Sequence, residues 1–110
     1  MADLTIIKQA FLANQALLTA LGDSKRQTII VALLAATDCT GLRAEDLTEA
    51  TGLSRPAVSH HLKLLKDAGL VTDHRVGTKN YYYFSHNVAA IAPLQQLLTE
   101  VHAVMERKPL

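Results

Sequence analysis

The sequence has few of the residues that stabilise or anchor a chain by special means. It contains no tryptophan, three prolines and a single cysteine, Cys39. One cysteine can form neither a disulfide within the chain nor a zinc site made of several cysteines. The longest apolar run, Ile29–Ala36, has eight residues, against the roughly 20 that a membrane-spanning helix needs. These absences favour a chain without disulfides or transmembrane segments.

The N-terminal stretch MADLTIIKQ has an acidic residue, Asp3, and no basic region before an apolar block, so it is not typical of a secretory signal. We therefore expect a soluble, cytoplasmic protein. The 110 residues, 49% of them hydrophobic, suffice for one small core and predict a single domain over residues 1–110. A chain of this size buries only about two-thirds of its unfolded surface, and a dimer would bury more.

The charge is nearly balanced overall but unevenly distributed. Formal net charge is +1, yet residues 54–80 hold five basic and two acidic side chains, whereas residues 1–53 hold four basic and six acidic ones. A local basic excess within an otherwise neutral chain indicates a surface for a polyanion such as nucleic acid.

Apolar spacing predicts one helix over 4–21, a second beginning at Asp23 or Ser24, a third over 44–52 and a fourth capped by Ser54 and ending near residue 68. Residues 70–84 read as two strands around a glycine-containing turn. A last helix over 91–106 repeats apolar residues at spacings of three and four, the seam of a helix-pairing heptad. The predicted fold is mainly α (α+β), a winged helix-turn-helix in the order α-α-α-α-β-β-α, with the helix-turn-helix at 44–68 and the wing at 70–84.

The helix that follows Ser54 has two unlike sides. A helix turns about 100° per residue, which places Val58, Leu62 and Leu65 on one stripe that we expect to be buried. The opposite side presents Pro56, Ser59, His60, Lys63 and Asp67. Hydroxyls and imidazoles suit base edges in a DNA major groove, and lysines reach phosphates. At the tip of the hairpin, Arg75, Thr78 and Lys79 are placed to contact phosphates or sugars. The alternative for each segment is an ordinary solvated surface.

The adjacent His60 and His61 point in different directions on one helix, so they cannot chelate one ion together. We expect His61, at the edge of the apolar stripe, to be partly buried and hydrogen-bonded. Its position two residues from Ser59 does not suit a hydrogen-bonded catalytic dyad. No nucleophile–base–acid arrangement is evident, and we expect no enzyme activity.

Two stretches, LGDSKRQTIIVALLAA and EDLTEATGLSRPAVSHHLKLLKDAGLVTDHRVGTKNYYYF, resemble the ArsR/SmtB family of bacterial winged helix-turn-helix repressors over roughly residues 17–84. The resemblance implies a homodimer, with helices 4–21 and 91–106 forming its interface and the helix at 54–68 recognising DNA. With the faces derived above, it predicts these DNA-contacting residues: Ser54, Arg55, Pro56, Ser59, His60, Lys63, Lys66, Arg75, Thr78 and Lys79. The predicted dimer-interface residues are Leu4, Ile7, Phe11, Leu18, Ile91, Leu94, Leu98, Val101 and Met105.

Many members of that family sense metals, and here the resemblance is incomplete. The position of the family's Cys-x-Cys site holds AEDL, residues 44–47, without a cysteine. In the last helix, His102 and Glu106 could supply half of the family's other site, with His86 reaching in from a partner chain. Surface or interface hydrogen bonding is the alternative. Cys39 could be a redox-reactive thiol, but it has no adjacent basic residue to activate it, which favours a cysteine without a functional role. We predict no cofactor.

The sequence therefore predicts a homodimeric regulator that binds double-stranded DNA at a palindromic operator, most simply a repressor released by a signal that the sequence does not identify. A winged-helix module that binds another protein instead of DNA is the alternative.

Overall fold

In the computed structural model, residues 4–36 and 41–107 are described. The helices and strands are α1 (Leu4–Ala13), α2 (Gln15–Leu21), α3 (Ser24–Ala35), α4 (Ala44–Thr51), α5 (Arg55–Asp67), β1 (Val71–Val76), β2 (Lys79–Phe84), a short 3-10 helix (Val88–Ala90) and α6 (Ala92–Arg107). Helices α4 and α5 form the predicted helix-turn-helix, and β1 and β2 form the predicted wing.

The single helix predicted over 4–21 is wrong, because α1 and α2 meet at Asn14 with a bend of 60°. The Asn14 side chain is buried, and its amide nitrogen donates to the carbonyl oxygens of Ala10, at 2.8 Å, and Pro93, at 3.3 Å. Asparagine side chains compete with the helical backbone for hydrogen bonds in this way. The order of elements thus begins with five helices rather than four.

The core is formed by α2, α3, α4, α5 and the start of the wing. Its completely buried side chains include Ile29 on α3, Leu47 on α4 and Leu65 on α5. Only one side of α3 is buried, since Val31 and Leu34 remain 64% and 58% exposed.

Side-chain caps determine where α3 and α5 begin. Asp23 rather than Ser24 caps α3, because its carboxylate accepts hydrogen bonds from the backbone N–H groups of Lys25 and Arg26. The prediction that Ser54 caps α5 is confirmed, with its hydroxyl oxygen accepting from the Ala57 N–H at 3.3 Å.

The wing is a tight antiparallel hairpin with Val76 paired to Lys79 and Val71 paired to Phe84. Its two-residue loop uses Gly77 at a φ of 63°, a conformation that glycine adopts without strain. Leu42 forms an additional antiparallel bridge to Tyr82. This bridge joins the segment before α4 to the wing and so fixes the wing beside the helix-turn-helix.

Candidate nucleic-acid interface

The two sides of α5 are separated as the spacing predicts. Val58, His61, Leu62 and Leu65 are buried, and the opposite side is open to solvent. All ten residues predicted to contact DNA are exposed, on the outer side of α5, at its N-terminus or on the outer part of the wing. The structure brings them to the surface of two adjacent elements.

The turn between α4 and α5 is held by Thr51, which ends α4. Its hydroxyl donates to the Leu47 carbonyl at 2.6 Å and accepts from the Leu53 N–H at 3.2 Å. Ser54 then caps α5, so the start of this helix is fixed by two side-chain oxygens. The first turn of α5, with Arg55 and Pro56, is therefore presented in one orientation.

The wing is tied to α5 by an ion pair. The Lys66 ammonium lies 2.9 Å from one carboxylate oxygen of Asp73 on β1, and the Asn80 amide donates to the other oxygen at 2.8 Å. The hydrogen bond from Asn80, together with Lys66, holds the pKa of Asp73 below its usual range. Lys66, predicted from sequence to contact DNA, thus also joins the recognition helix to the wing.

Lys63 forms an exposed ion pair with Asp67, one turn along the same helix, at 3.1 Å. Exposed pairs of this kind contribute little to stability. The Lys63 ammonium can therefore leave Asp67 for a phosphate at little cost.

The two histidines of α5 have separate environments. His60 is exposed, whereas His61 is 8% exposed and its Nδ1 lies 3.1 Å from Nη1 of Arg26, which is also buried. Because a guanidinium can only donate, Nδ1 of His61 accepts and the proton of the neutral ring resides on Nε2. Burial lowers the pKa of His61. The expected hydrogen-bonded His61 is found, and its partner was not foreseen.

A cleft of about 270 Å³ lies between the start of α4, the start of α5 and the wing. Arg43, Arg55, Arg75 and Lys79 line it, together with one acidic side chain, Glu45. Sequence reasoning missed Arg43, because it precedes the helix-turn-helix and no periodic pattern connects it with the wing.

The predicted dimer residues fall into two groups. Leu4, Phe11, Leu18, Leu98 and Met105 are exposed in the single chain, Leu98 and Met105 at 60% and 68%. Ile7, Ile91, Leu94 and Val101 are half-buried, and Ile91 and Leu94 pack against the core of the same chain. Ile6 and Leu12 add exposed apolar surface on α1 that the prediction omitted.

Two of the candidate metal ligands, His102 and Glu106, lie side by side on α6, and the contribution of His86 from a partner chain stays a prediction. His102 Nε2 lies 2.9 Å from Glu106 Oε1, and His86 lies beside the ring of Tyr83. Over residues 4–36 and 41–107, no group of three or more histidine, cysteine or acidic side chains is placed to hold an ion. Cys39 lies outside the described residues.

Among the described helices, none is by itself both long and apolar enough to cross a membrane. The bent pair α1–α2 reaches that length and composition when its two halves are taken together.

Comparisons with a family profile and with known proteins agree with one another. Residues 23–73 match the profile described as "Bacterial regulatory protein, arsR family". The chain is 39% identical over 69 residues to the transcriptional repressor SdpR of Bacillus subtilis, covering 63% of this chain and 72% of the relative. It is 39% identical over 72 residues to the arsenical resistance operon repressor of Staphylococcus aureus, covering 66% and 65%.

A solved structure gives the same result for the fold. The homodimeric winged helix-turn-helix DNA-binding domain from Mycobacterium bovis superposes with a TM-score of 0.64 at 27% identity, covering 100% of this chain and 97% of that one. The predicted winged helix-turn-helix architecture is therefore confirmed.

Proposed function

The chain belongs to the ArsR family of bacterial regulatory proteins, and we propose that it is a homodimeric transcriptional repressor that binds double-stranded DNA. The resemblance seen in the sequence is thereby confirmed. The alternative of a winged helix that binds only protein is not favoured, because relatives are named transcriptional repressors and a structural neighbour is a DNA-binding domain.

The observation that carries the proposal is the two-sided character of α5 beside the wing. Its apolar side is buried in the core, and its polar side, with Ser59, His60 and Lys63, is exposed. Such a helix can enter the major groove while its body stays anchored. Ser59 and His60 then face base edges, and Lys63 and the wing residue Arg75 face phosphates.

The dimer is proposed from the exposed apolar side chains on α1 and α6 and from the homodimeric Mycobacterium bovis domain. Two copies of α5 would occupy successive major grooves about 34 Å apart, as dimeric helix-turn-helix proteins do. An operator with two-fold symmetry follows from that arrangement.

We further propose that the protein acts in the cytoplasm, has no catalytic activity and binds DNA without a cofactor. Derepression then comes from a signal that acts on the dimer. Measuring operator affinity with Zn²⁺, with chelator and with oxidant distinguishes a metal or thiol signal from other signals.

The experiment that tests the proposal measures binding to random and selected duplexes by fluorescence anisotropy over a range of salt concentrations. Lys63→Ala and Arg75→Ala should weaken binding to every sequence and reduce the salt slope by about one each. Ser59→Ala and His60→Ala should mainly reduce discrimination between sequences, by about 1–3 kcal/mol for a base contact.

Arg107→Ala is the matched control, because Arg107 ends α6, outside α4, α5 and the wing. Its affinity and salt slope should equal those of the unmodified protein. If the four variants on α5 and the wing behave like this control, the contact surface is assigned to the wrong side of the molecule. If the affinity of the wild-type protein for duplex DNA does not change with salt concentration, the proposal of DNA binding itself is contradicted.

A further inference from the structure

The basic cleft, defined as the cavity lined by Arg43, Glu45, Arg55, Arg75 and Lys79, collects charge from three separate elements. Arg43 and Glu45 come from the start of α4, Arg55 from the first residue of α5, and Arg75 and Lys79 from the wing. Four cations and one carboxylate leave a net charge of +3 around about 270 Å³. Like charges held around one cavity repel one another, and a bound anion offsets this repulsion because it attracts each of them.

We propose that this cleft is a socket for a backbone phosphate of the bound DNA, with Arg43 as a phosphate-contacting residue outside both the recognition helix and the wing. The inference rests on the proposed function and deepens it. Guanidinium groups suit phosphate oxygens because their planar donors bind two oxygens at once. The three arginines of the cleft supply that chemistry from three elements.

The position of the cleft favours a phosphate of DNA over a free anion. Two of its three walls are the start of α5 and the wing, the elements that the proposed function places on the duplex. Asn80 lies in the lining as well, but its amide donates to Asp73 and to the Tyr82 hydroxyl. That part of the wall is therefore fixed by internal bonds, and the lining cations supply the charge that suits a phosphate.

Glu45 gives the cleft a charge that works against an incoming phosphate. Its carboxylate pairs with the Arg43 guanidinium, and both side chains are partly exposed. An exposed pair adds little stability, so Arg43 can exchange Glu45 for a phosphate oxygen. Removing Arg43 and removing Glu45 should then change DNA affinity in opposite directions.

The test compares Arg43→Gln, Glu45→Gln and the control Arg107→Gln by fluorescence anisotropy on one specific and one random duplex. Arg43→Gln should weaken binding to both duplexes about tenfold and lower the salt slope by about 0.9, the value for one lost phosphate contact. Glu45→Gln should strengthen binding a few-fold on both, and Arg107→Gln should leave it unchanged. The backbone N–H of residue 43, which donates to Asp46, is kept in the glutamine variant, and a thermal melt checks that each variant folds.

The outcomes separate this inference from the proposed function. Salt-dependent binding by the wild type with Arg43→Gln unaffected overturns the socket alone, whereas a wild type that binds no duplex overturns both. Equal losses in Arg43→Gln and Glu45→Gln mean that the pair is only structural, which also overturns the socket. Titration with inorganic phosphate is the last measurement. If the wild type binds phosphate tightly, and Arg43→Gln abolishes that binding but keeps the DNA affinity of the wild type, the cleft binds a free anion instead of DNA.

Discussion

The buried Arg26 side chain should be worth more to stability than any other arginine in the described part of the chain. It is 7% exposed, and its guanidinium donates to the carbonyl oxygens of Ala20, at 2.9 Å, and Thr19, at 2.8 Å, and to Nδ1 of His61, at 3.1 Å. Those two carbonyls belong to the last turn of α2, where a helix lacks internal donors. Arg26 therefore joins α2 and α5 through α3.

Arg26→Met keeps much of the aliphatic volume and removes every side-chain donor, while the backbone N–H that donates to Asp23 is kept. The Thr19 carbonyl retains the Gly22 N–H as a donor at 3.3 Å, which leaves the Ala20 carbonyl and the His61 nitrogen to lose their arginine partner. An orphaned buried group costs about 1–3 kcal/mol, and relief from burying a charge offsets part of this. We expect a loss of about 2–4 kcal/mol, a large share of the 5–15 kcal/mol that stabilises a typical domain.

The assay is urea unfolding followed by circular dichroism at pH 7.5, with all variants at one protein concentration, because dimerisation makes apparent stability depend on concentration. The control is Arg55→Met, since Arg55 is exposed and should change stability little. A loss of unfolding free energy below about 1 kcal/mol for Arg26→Met would refute the reasoning, because it would mean that the three guanidinium hydrogen bonds contribute little to stability.

Three further predictions concern pH, backbone geometry and assembly. Burial lowers the pKa of His61 below its ordinary 6.5, so the neutral ring contributes its full share to the free energy of unfolding above pH 6.5, and that share is lost as the pH falls below 6.5. In urea unfolding at several pH values, His61→Gln should reduce this loss. Gly41→Ala should lower the urea midpoint by the equivalent of about 2 kcal/mol or more, because Gly41 has a φ of 81° and an added Cβ would clash with the Tyr82 carbonyl; an unchanged midpoint would contradict the geometry. Leu98→Glu should weaken the dimer by at least about tenfold in analytical ultracentrifugation, because it buries a charge in the proposed interface; equal dimer affinity would place that interface elsewhere.

Helical spacing predicted the two sides of α5 correctly, because a regular α-helix turns by the same angle at every residue. Val58 and Leu62 are buried and Ser59 and His60 exposed, as a turn of 100° per residue requires. The cap at Ser54, and the choice between Asp23 and Ser24 for α3, were predictable because a capping side chain bonds backbone groups only two or three positions away.

Features that depend on distant partners could not be read from spacing. Asn14 breaks the first helix while bonding a residue 79 positions away, and Arg26 meets His61 35 positions away. Arg43 joins the basic cleft only because the wing folds back beside α4. Local periodicity contains no information on which segments meet.

The heptad pattern of the last helix shows the same limit in another form. Ile91 and Leu94 pack against the core of their own chain, whereas Leu98 and Met105 remain exposed. An apolar stripe indicates that a helix packs against another surface, but for the first turn of this helix that surface is the core of the same chain. Only the later turns are available to a second copy.

Selection of bound duplexes from a random DNA pool by the purified protein tests the central claim most directly, because it asks whether the exposed side of α5 reads sequence in duplicate. We predict enrichment of inverted repeats whose half-sites are centred about 10 base pairs apart, with the preference weakened in His60→Ala. Enriched sequences without two-fold symmetry, or a pool that stays random, would contradict the account.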